Sequence, residues 1–288
     1  MRHHLLTLAA AVVIAFLLIQ SYLPRGAAVE AKESVYERVL RTGAIRCGYH
    51  VWEPFLTKDI NTGVLGGIYY DYLNALGRVL TLKIEWVEET GFGPHVEALK
   101  NDRFDVMCAG DYQNGARGRF IDYTIPILYV PLYAYVRTDD MRFDAELARA
   151  NNSTIKIATV EGTTPFIVAN RDFPNAQKIT HPESSELTMP LVDVATGKAD
   201  LSIAGANVGA GYLAKNPGQL RIVPTPQPIR LFGSSLSLRK DEHNLRRMLD
   251  AATHELLYSG ELEAIIKKHE QYPGSFFRVA KPYASAHE

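Results

Sequence analysis

The sequence predicts an α/β fold of two similar lobes, each a mostly parallel sheet flanked by helices. Three observations carry this expectation. Short apolar strands alternate with amphipathic helices from Ser34 onward, an order that lays strands side by side under helices. The alternation breaks once, at the charged pair Asp139–Asp140, and a second block of the same kind follows. The chain then closes with two amphipathic helices, which returns its end to the first block.

Each element has its own signal. SVYERVLRTG is a short amphipathic helix stopped at Gly43, and AIRCGY (44–49) is an apolar strand that turns near Pro54. GGIYYDYLNALGRVL places Tyr69, Leu73, Leu76 and Leu80 at helical spacing behind two glycines. LKIEWV alternates as a strand does, HVEALKNDRFDVMCAG gives a helix and then a strand ending at Cys108, and YVPLYAYVR reads as extended. In the second block TIKIATV, ADLSIAG and LRIVPT are strands. Between them lie helices begun by TPFIVANRD, by LTMPLVDVATG with an internal Pro190, and by ANVGAGYLAKNP. LFGSSLSLR is again extended. The closing helices carry Leu245, Met248, Leu249, Ala252 and Leu256 on one stripe, stop at Gly260, and end with Lys267, Lys268 and His269 at the negative end of a helix dipole.

Composition narrows the function. With 31 Lys+Arg against 32 Asp+Glu, no basic footprint for nucleic acid exists. Residues Leu5 to Leu23 form an uncharged apolar run behind Arg2, His3 and His4, the pattern of an export signal and long enough for a membrane anchor. A small-residue cleavage site near Val29 to Ala31 is poor, which favours the anchor, and in both cases the rest of the chain lies outside the cytoplasm. Residues 1–24 are therefore assigned to signal or anchor and 25–35 to a linker. Residues 36–132 form lobe 1, to which 232–270 return, 133–231 form lobe 2, and 271–288 form a tail. The two cysteines, Cys47 and Cys108, lie in strands that can be neighbours, so an oxidising compartment permits a disulfide, and two buried thiols are the alternative. Neither the cysteines nor the nine histidines have metal-ligand spacing, and no motif implies a cofactor.

The order of AIRCGYHVWEPF, GGIYYDYLNALGRVL, HVEALKNDRFDVMCAG, GARGRFIDYTIPILYVPLYAYVR, ATVEGTT, LVDVATGKADLSIAG and YSGELEAIIKKH resembles the periplasmic solute-binding proteins of family 3, which include the polar amino-acid receptors of ABC importers. The resemblance runs over about residues 36–270. It implies the type II periplasmic binding fold, with hinge segments near Pro131 to Arg137 and Leu231 to Leu238, and capture of a small ligand between the lobes. The implied partner is an ABC permease or another periplasmic or membrane protein.

The resemblance also implies a site. Arg117, in RGRFIDY, stands where the amino-acid receptors hold a ligand carboxylate. A guanidinium offers two parallel donors in that geometry, while a solvated surface arginine, with Arg119 as its substitute, is the plainer reading. Ala109 and Gly110 follow a strand at its carboxyl end, where open α/β sheets bind ligands. Tyr112 replaces a usual threonine, Trp52 supplies an aromatic wall with Tyr49 on the same loop, and Ile68 replaces an aromatic opposite. Glu161, Gly162 and Thr163 lead into a helix whose free amides can hold an anion, or Thr163 is a simple cap.

One departure is informative. The receptors place an aspartate for the α-ammonium where this chain has Gly205, after Ala204. A buried ammonium without an anion is costly, so either Glu161 or Asp111 supplies the charge or the ligand has no α-amino group; the second is expected, a carboxylate or other small polar metabolite, with Asn207 adding a neutral hydrogen bond. The chain is thus read as a binding protein and not an enzyme. The rivals are a membrane-tethered partner or sensor module and a cyclohexadienyl-dehydratase-like enzyme using Glu161 as the acid.

Overall fold

The computed structural model describes residues 13–15 and 33–279. The apolar run read as signal or anchor, and the end of the tail, lie almost wholly outside the described residues. Among those described, no helix is long and apolar enough to cross a membrane. Among the described residues, Val35 to Val279 belong to one compact unit.

In chain order that unit begins with α1 (Val35–Thr42), β1 (Ala44–Tyr49), β2 (Thr57–Lys58), β3 (Leu65–Gly66), α2 (Ile68–Leu80), β4 (Lys83–Glu89), α3 (His95–Lys100) and β5 (Val106–Tyr112). A 3₁₀ turn at Arg117–Arg119 leads to β6 (Ile121–Tyr123) and the long strand β7 (Leu128–Arg137). The second lobe follows as β8 (Lys156–Val160), α4 (Thr164–Asp172), β9 (Gln177–His181), α5 (Met189–Ala195), β10 (Leu201–Gly205), α6 (Ala206–Lys215) and β11 (Leu220–Ile222). The chain then returns through β12 (Arg230–Arg239), α7 (His243–Tyr258), α8 (Glu261–His269) and β13 (Phe277–Arg278).

Eleven of these strands make one sheet, whose main path is β4-β1-β5-β12-β7-β10-β8-β9. At one end β4, β1 and β5 are parallel, and at the other β10, β8 and β9 are parallel. The two long strands join the ends by changing partners along their length. β7 pairs with β12 from Leu128 to Leu132 and with β10 from Leu132 to Val136. β12 pairs with β7 from Arg230 to Ser234 and with β5 and β6 from there on. The two lobes of parallel strands are those the alternation predicts, and the arrangement is the type II periplasmic binding fold that the resemblance implies.

The helices cover the sheet through the stripes read in the sequence. α2 buries Tyr69, Tyr72, Leu73 and Leu76, and α7 buries Leu245, Leu249, Ala252 and Leu256. Each such aliphatic or aromatic side chain contributes about 1.5–3 kcal/mol by leaving water. The Tyr72 hydroxyl meets Thr253 Oγ1 at 2.6 Å, which gives a polar tip a partner inside the helix contact. Pro190 differs from the expectation of an internal proline. α5 starts at Met189, so Pro190 sits in the first turn, where its missing N–H costs nothing. The tail also carries more structure than its composition suggests. Phe276 is buried against Phe55, and β13 adds to the edge of β7.

Cys47 on β1 and Cys108 on β5 are joined by a disulfide, with Cα atoms 5.4 Å apart on neighbouring strands. It closes a loop of 61 residues. Loop closure of that length removes about 4 kcal/mol of denatured-state entropy. Replacing both cysteines by serine is expected to lower the unfolding free energy by about 2–4 kcal/mol, and the midpoint with it, measured by urea unfolding of oxidised wild type and variant. An unchanged midpoint would contradict a structural role for the bridge.

Candidate functional site

Where the lobes meet, a small cavity of about 50 Å³ is enclosed by residues of both. Lobe 1 contributes Trp52, Phe92, Gly110, Asp111, Tyr112 and Arg117. Lobe 2 contributes the end of β8, the start of α4, Leu187, Pro190, and the β10–α6 junction from Ile203 to Val208. The parallel strands β5, β8 and β10 all end at this wall, the usual position for a ligand in an open α/β sheet.

The aromatic side is built from three segments. Trp52 is held by a short bridge in which its N–H and carbonyl pair with Leu56 at 2.8 and 2.9 Å. Its ring meets Phe55 at 4.2 Å, Tyr112 at 5.0 Å edge-on and Phe92 at 5.8 Å edge-on. Tyr112 is stacked from behind by Phe232 of β12. Phe92, from the loop after β4, packs on His50 with ring centres 4.0 Å apart. Ile68 is fully buried and does not face the cavity. The second aromatic wall comes from Phe92, which sequence reasoning missed because a single phenylalanine between two glycines has no periodicity to mark it.

The polar side centres on Arg117. Its backbone N–H donates to Asn114 Oδ1 at 3.0 Å, which fixes the turn after β5. Its Nη1 donates to Asp111 Oδ1 at 2.6 Å, and its Nη2 donates to the Phe92 carbonyl at 2.8 Å and to the Gly162 carbonyl across the cleft. The other oxygen of Asp111 accepts from His95 Nε2 at 2.9 Å, and both residues are almost fully buried. Burial alone raises the Asp111 pKa, but His95 and Arg117 outweigh it and hold the carboxyl down at about 2. His50 behaves in the opposite sense. Burial, helped by His95 and Arg117 and opposed by Asp111, lowers it from 6.5 to about 3 and keeps the ring neutral.

Gly110 explains how Asp111 and Tyr112 reach the wall. Its φ is +84°, and an added Cβ would stand 2.5 Å from the Tyr69 ring, so only glycine fits this bend. The bend coincides with a register shift between β5 and β12, the kind of bulge that re-aims side chains next to a site.

The predicted site residues divide. Trp52, Gly110, Tyr112, Arg117 and Thr163 line the cavity, and Gly162 faces it through the carbonyl that accepts from Arg117. The Thr163 hydroxyl is engaged as the cap of α4, accepting from Phe166 N–H at 3.3 Å and donating to the Val160 carbonyl at 2.7 Å. Asn207 donates to the Glu53 carbonyl at 3.3 Å, linking the lobes, and faces a larger outer groove of about 1130 Å³. Ala109 is buried in the core on β5, Tyr49 packs edge-on against Trp86, and the Glu161 side chain is exposed outside the cavity. Several polar atoms of the wall and its surroundings have no protein partner: Trp52 Nε1, Tyr112 Oη, Thr159 Oγ1 and Asn207 Oδ1.

Two lobes closing over a cavity at their strand ends define the class, a two-lobed binding fold of the periplasmic type. The chain belongs to the bacterial extracellular solute-binding proteins, family 3, whose model matches residues 45–271. A probable histidine-binding protein of Campylobacter jejuni is 20% identical over 220 residues, 76% of this chain and 81% of the relative. Among solved structures, the ancestral amino acid-binding protein AncCDT-1, a precursor of cyclohexadienyl dehydratase, superposes with a TM-score of 0.70 at 23% identity, over 82% of this chain and 99% of that one. An amino acid ABC transporter substrate-binding protein from Streptococcus pneumoniae bound to L-arginine gives 0.67 at 21% identity, over 86% and 100%.

A histidine kept neutral by the fold binds its proton more readily once unfolded. His50 therefore leaves stability intact above pH 6.5 and erodes it progressively as pH falls from there toward 3. The slope approaches about 1.4 kcal/mol per pH unit for this one group. Urea unfolding at pH 7, 6 and 5 is expected to show this loss, and His50→Phe, which preserves the ring contact with Phe92, is expected to flatten it. Equal slopes in wild type and variant would remove His50 as the cause.

Proposed function

We propose that this protein is an extracytoplasmic receptor that closes its two lobes on a small polar ligand and presents it to an ABC importer. The observation that supports this reading most directly is the cavity shared by both lobes, with Arg117 reaching from the turn after β5 to the Gly162 carbonyl of the other lobe. Closure about the two partner-changing strands is the motion this architecture permits. The apolar run Leu5 to Leu23 serves in this reading as the export signal or as a membrane tether.

Relatives named for histidine or arginine binding make an amino acid the first ligand to test. Gly205, however, offers no anion for an α-ammonium, and Glu161 points elsewhere. That favours a ligand without an α-amino group. The exposed position of Glu161 also weighs against a dehydratase-like role, because a general acid must reach its target within hydrogen-bond distance.

Thermal unfolding of the full chain in mild detergent, against amino acids, small carboxylates, amides, sugars and aromatic compounds, tests the reading. One class is expected to raise the midpoint, by about 2.7 kcal/mol of stabilisation at a hundredfold excess over the dissociation constant. Trp52→Ala is expected to weaken that ligand at least about tenfold through loss of its ring contact. If no class shifts the midpoint, solute capture is the wrong function, and a partner isolated with the chain becomes the better explanation.

A further inference from the structure

A cleft that takes a carboxylate needs an arginine with its fork free, and this one does not have it. Arg117 gives one terminal nitrogen to Asp111 at 2.6 Å and the other to two backbone carbonyls. Asp111 is 3% exposed, and its second oxygen is held by His95, which is fully buried. Among the described residues, Asp111 and Arg117 are the charged side chains on the cavity wall, and they neutralise each other. A ligand carboxylate would compete with a carboxylate already built into the protein at the position such a group would occupy.

The anion side is withdrawn as well. A Cβ placed on Gly205 would stand 2.8 Å from Asn207 Oδ1 and 3.2 Å from Tyr112 Oη, so these two side chains together crowd the space an acidic side chain would need. What the wall retains is uncharged: the Trp52 indole N–H and the Tyr112 and Thr159 hydroxyls, each buried without a partner. A buried polar group without a partner on the protein favours a ligand or water that supplies one. The remaining lining is aromatic and aliphatic, and a cavity of about 50 Å³ admits a compact molecule while the lobes are closed.

We propose that Asp111 is a built-in carboxylate that occupies the fork of Arg117, and that the cleft is thereby selective for uncharged compact ligands, with amide or hydroxyl groups, over carboxylates and amino acids. This rests on the reading of the cavity as the solute site. Asp111 is in this sense the specificity-determining residue, and Arg117 is a latch between the lobes.

The test compares isosteric pairs on the full chain by isothermal titration calorimetry: acetamide with acetate and benzamide with benzoate, together with L-histidine and L-arginine. In wild type the amide of a pair is expected to bind at least about tenfold more tightly than its carboxylate, with no detectable binding of the amino acids. In Asp111→Asn the preference is expected to reverse, because the fork of Arg117 then faces an amide oxygen it can release. Circular dichroism confirms that the variant is folded, and the wild-type comparison stands without it. Carboxylate or amino-acid binding in wild type as tight as that of the amides overturns this inference but leaves solute capture intact. Binding of none of these ligands by either protein overturns this inference, and solute capture is then decided by the wider ligand panel.

Discussion

Arg117 starts in one lobe and completes its hydrogen bonding in the other, and the closed arrangement of the cleft depends on that side chain. The charge is 11% exposed and faces an aspartate that is nearly inaccessible. Taking both ions out of water costs several kcal/mol each, and only good geometry and further hydrogen bonds offset the loss. Here those further bonds are the Phe92 and Gly162 carbonyls and His95. Because one of the three lies across the cleft, the pair is best satisfied when the lobes meet. Parting them would strand a guanidinium nitrogen beside water, which is tolerable, while leaving the Asp111–His95 contact undisturbed within lobe 1. The latch is thus reversible in physical terms, with the buried half of the network staying on one lobe.

The network can only form because the backbone brings its members together across long sequence separations. β7 and β12 each pair with one lobe over half of their length and with the other lobe over the rest. At Leu132 both arrangements meet, since β7 faces Arg230 of β12 and Gly205 of β10 at that one residue. The carboxyl ends of β5 and β10 are therefore held near the crossing, and the cavity forms beside it. The disulfide ties β1, whose following turn carries Trp52, to β5, which carries Asp111 near its carboxyl end. Movement of the lobes can then leave the lobe 1 wall intact.

Much of this was legible in the sequence, and the part that was not has a common cause. Periodicity located the strands and helices because each pattern is local: Tyr69, Leu73 and Leu76 of α2 and Leu245, Leu249 and Leu256 of α7 are buried as their spacing requires. Order of motifs placed Trp52, Tyr112 and Arg117 on one cavity wall. What the sequence could not give was the state of each group. Arg117 carries no mark of being paired, since Asp111 lies six residues away in a strand and His95 in a separate helix. Thr163 looked equally suited to cap a helix or to hold a ligand, and its two hydrogen bonds are those of a cap. Glu161 was drawn by its neighbours toward the cleft, but the turn after β8 leaves its side chain in solvent. Phe92 gave no signal at all, because its value comes from what the loop packs against.

Tyr112 and Gly205 show the same limit from another side. In the sequence they are two separate departures, a bulky residue where the family has a threonine and a missing acid on a distant strand. In space they are one change. The tyrosine hydroxyl stands 3.2 Å from the point where a side chain at 205 would begin, and Phe232 stacks on the ring to keep it there. An aspartate at 205 beside Tyr112 would have to displace a packed aromatic ring. A threonine at 112 beside Gly205 would leave a void lined by Asn207 and Val130, with its lost contacts uncompensated. Neither position can return alone to the pattern of the amino-acid receptors without a cost in packing. Polarity at this end of the cleft is therefore set by the pair, and with the Asp111 carboxylate on Arg117 at the other end both charged anchors of an amino acid are already answered by the protein's own side chains.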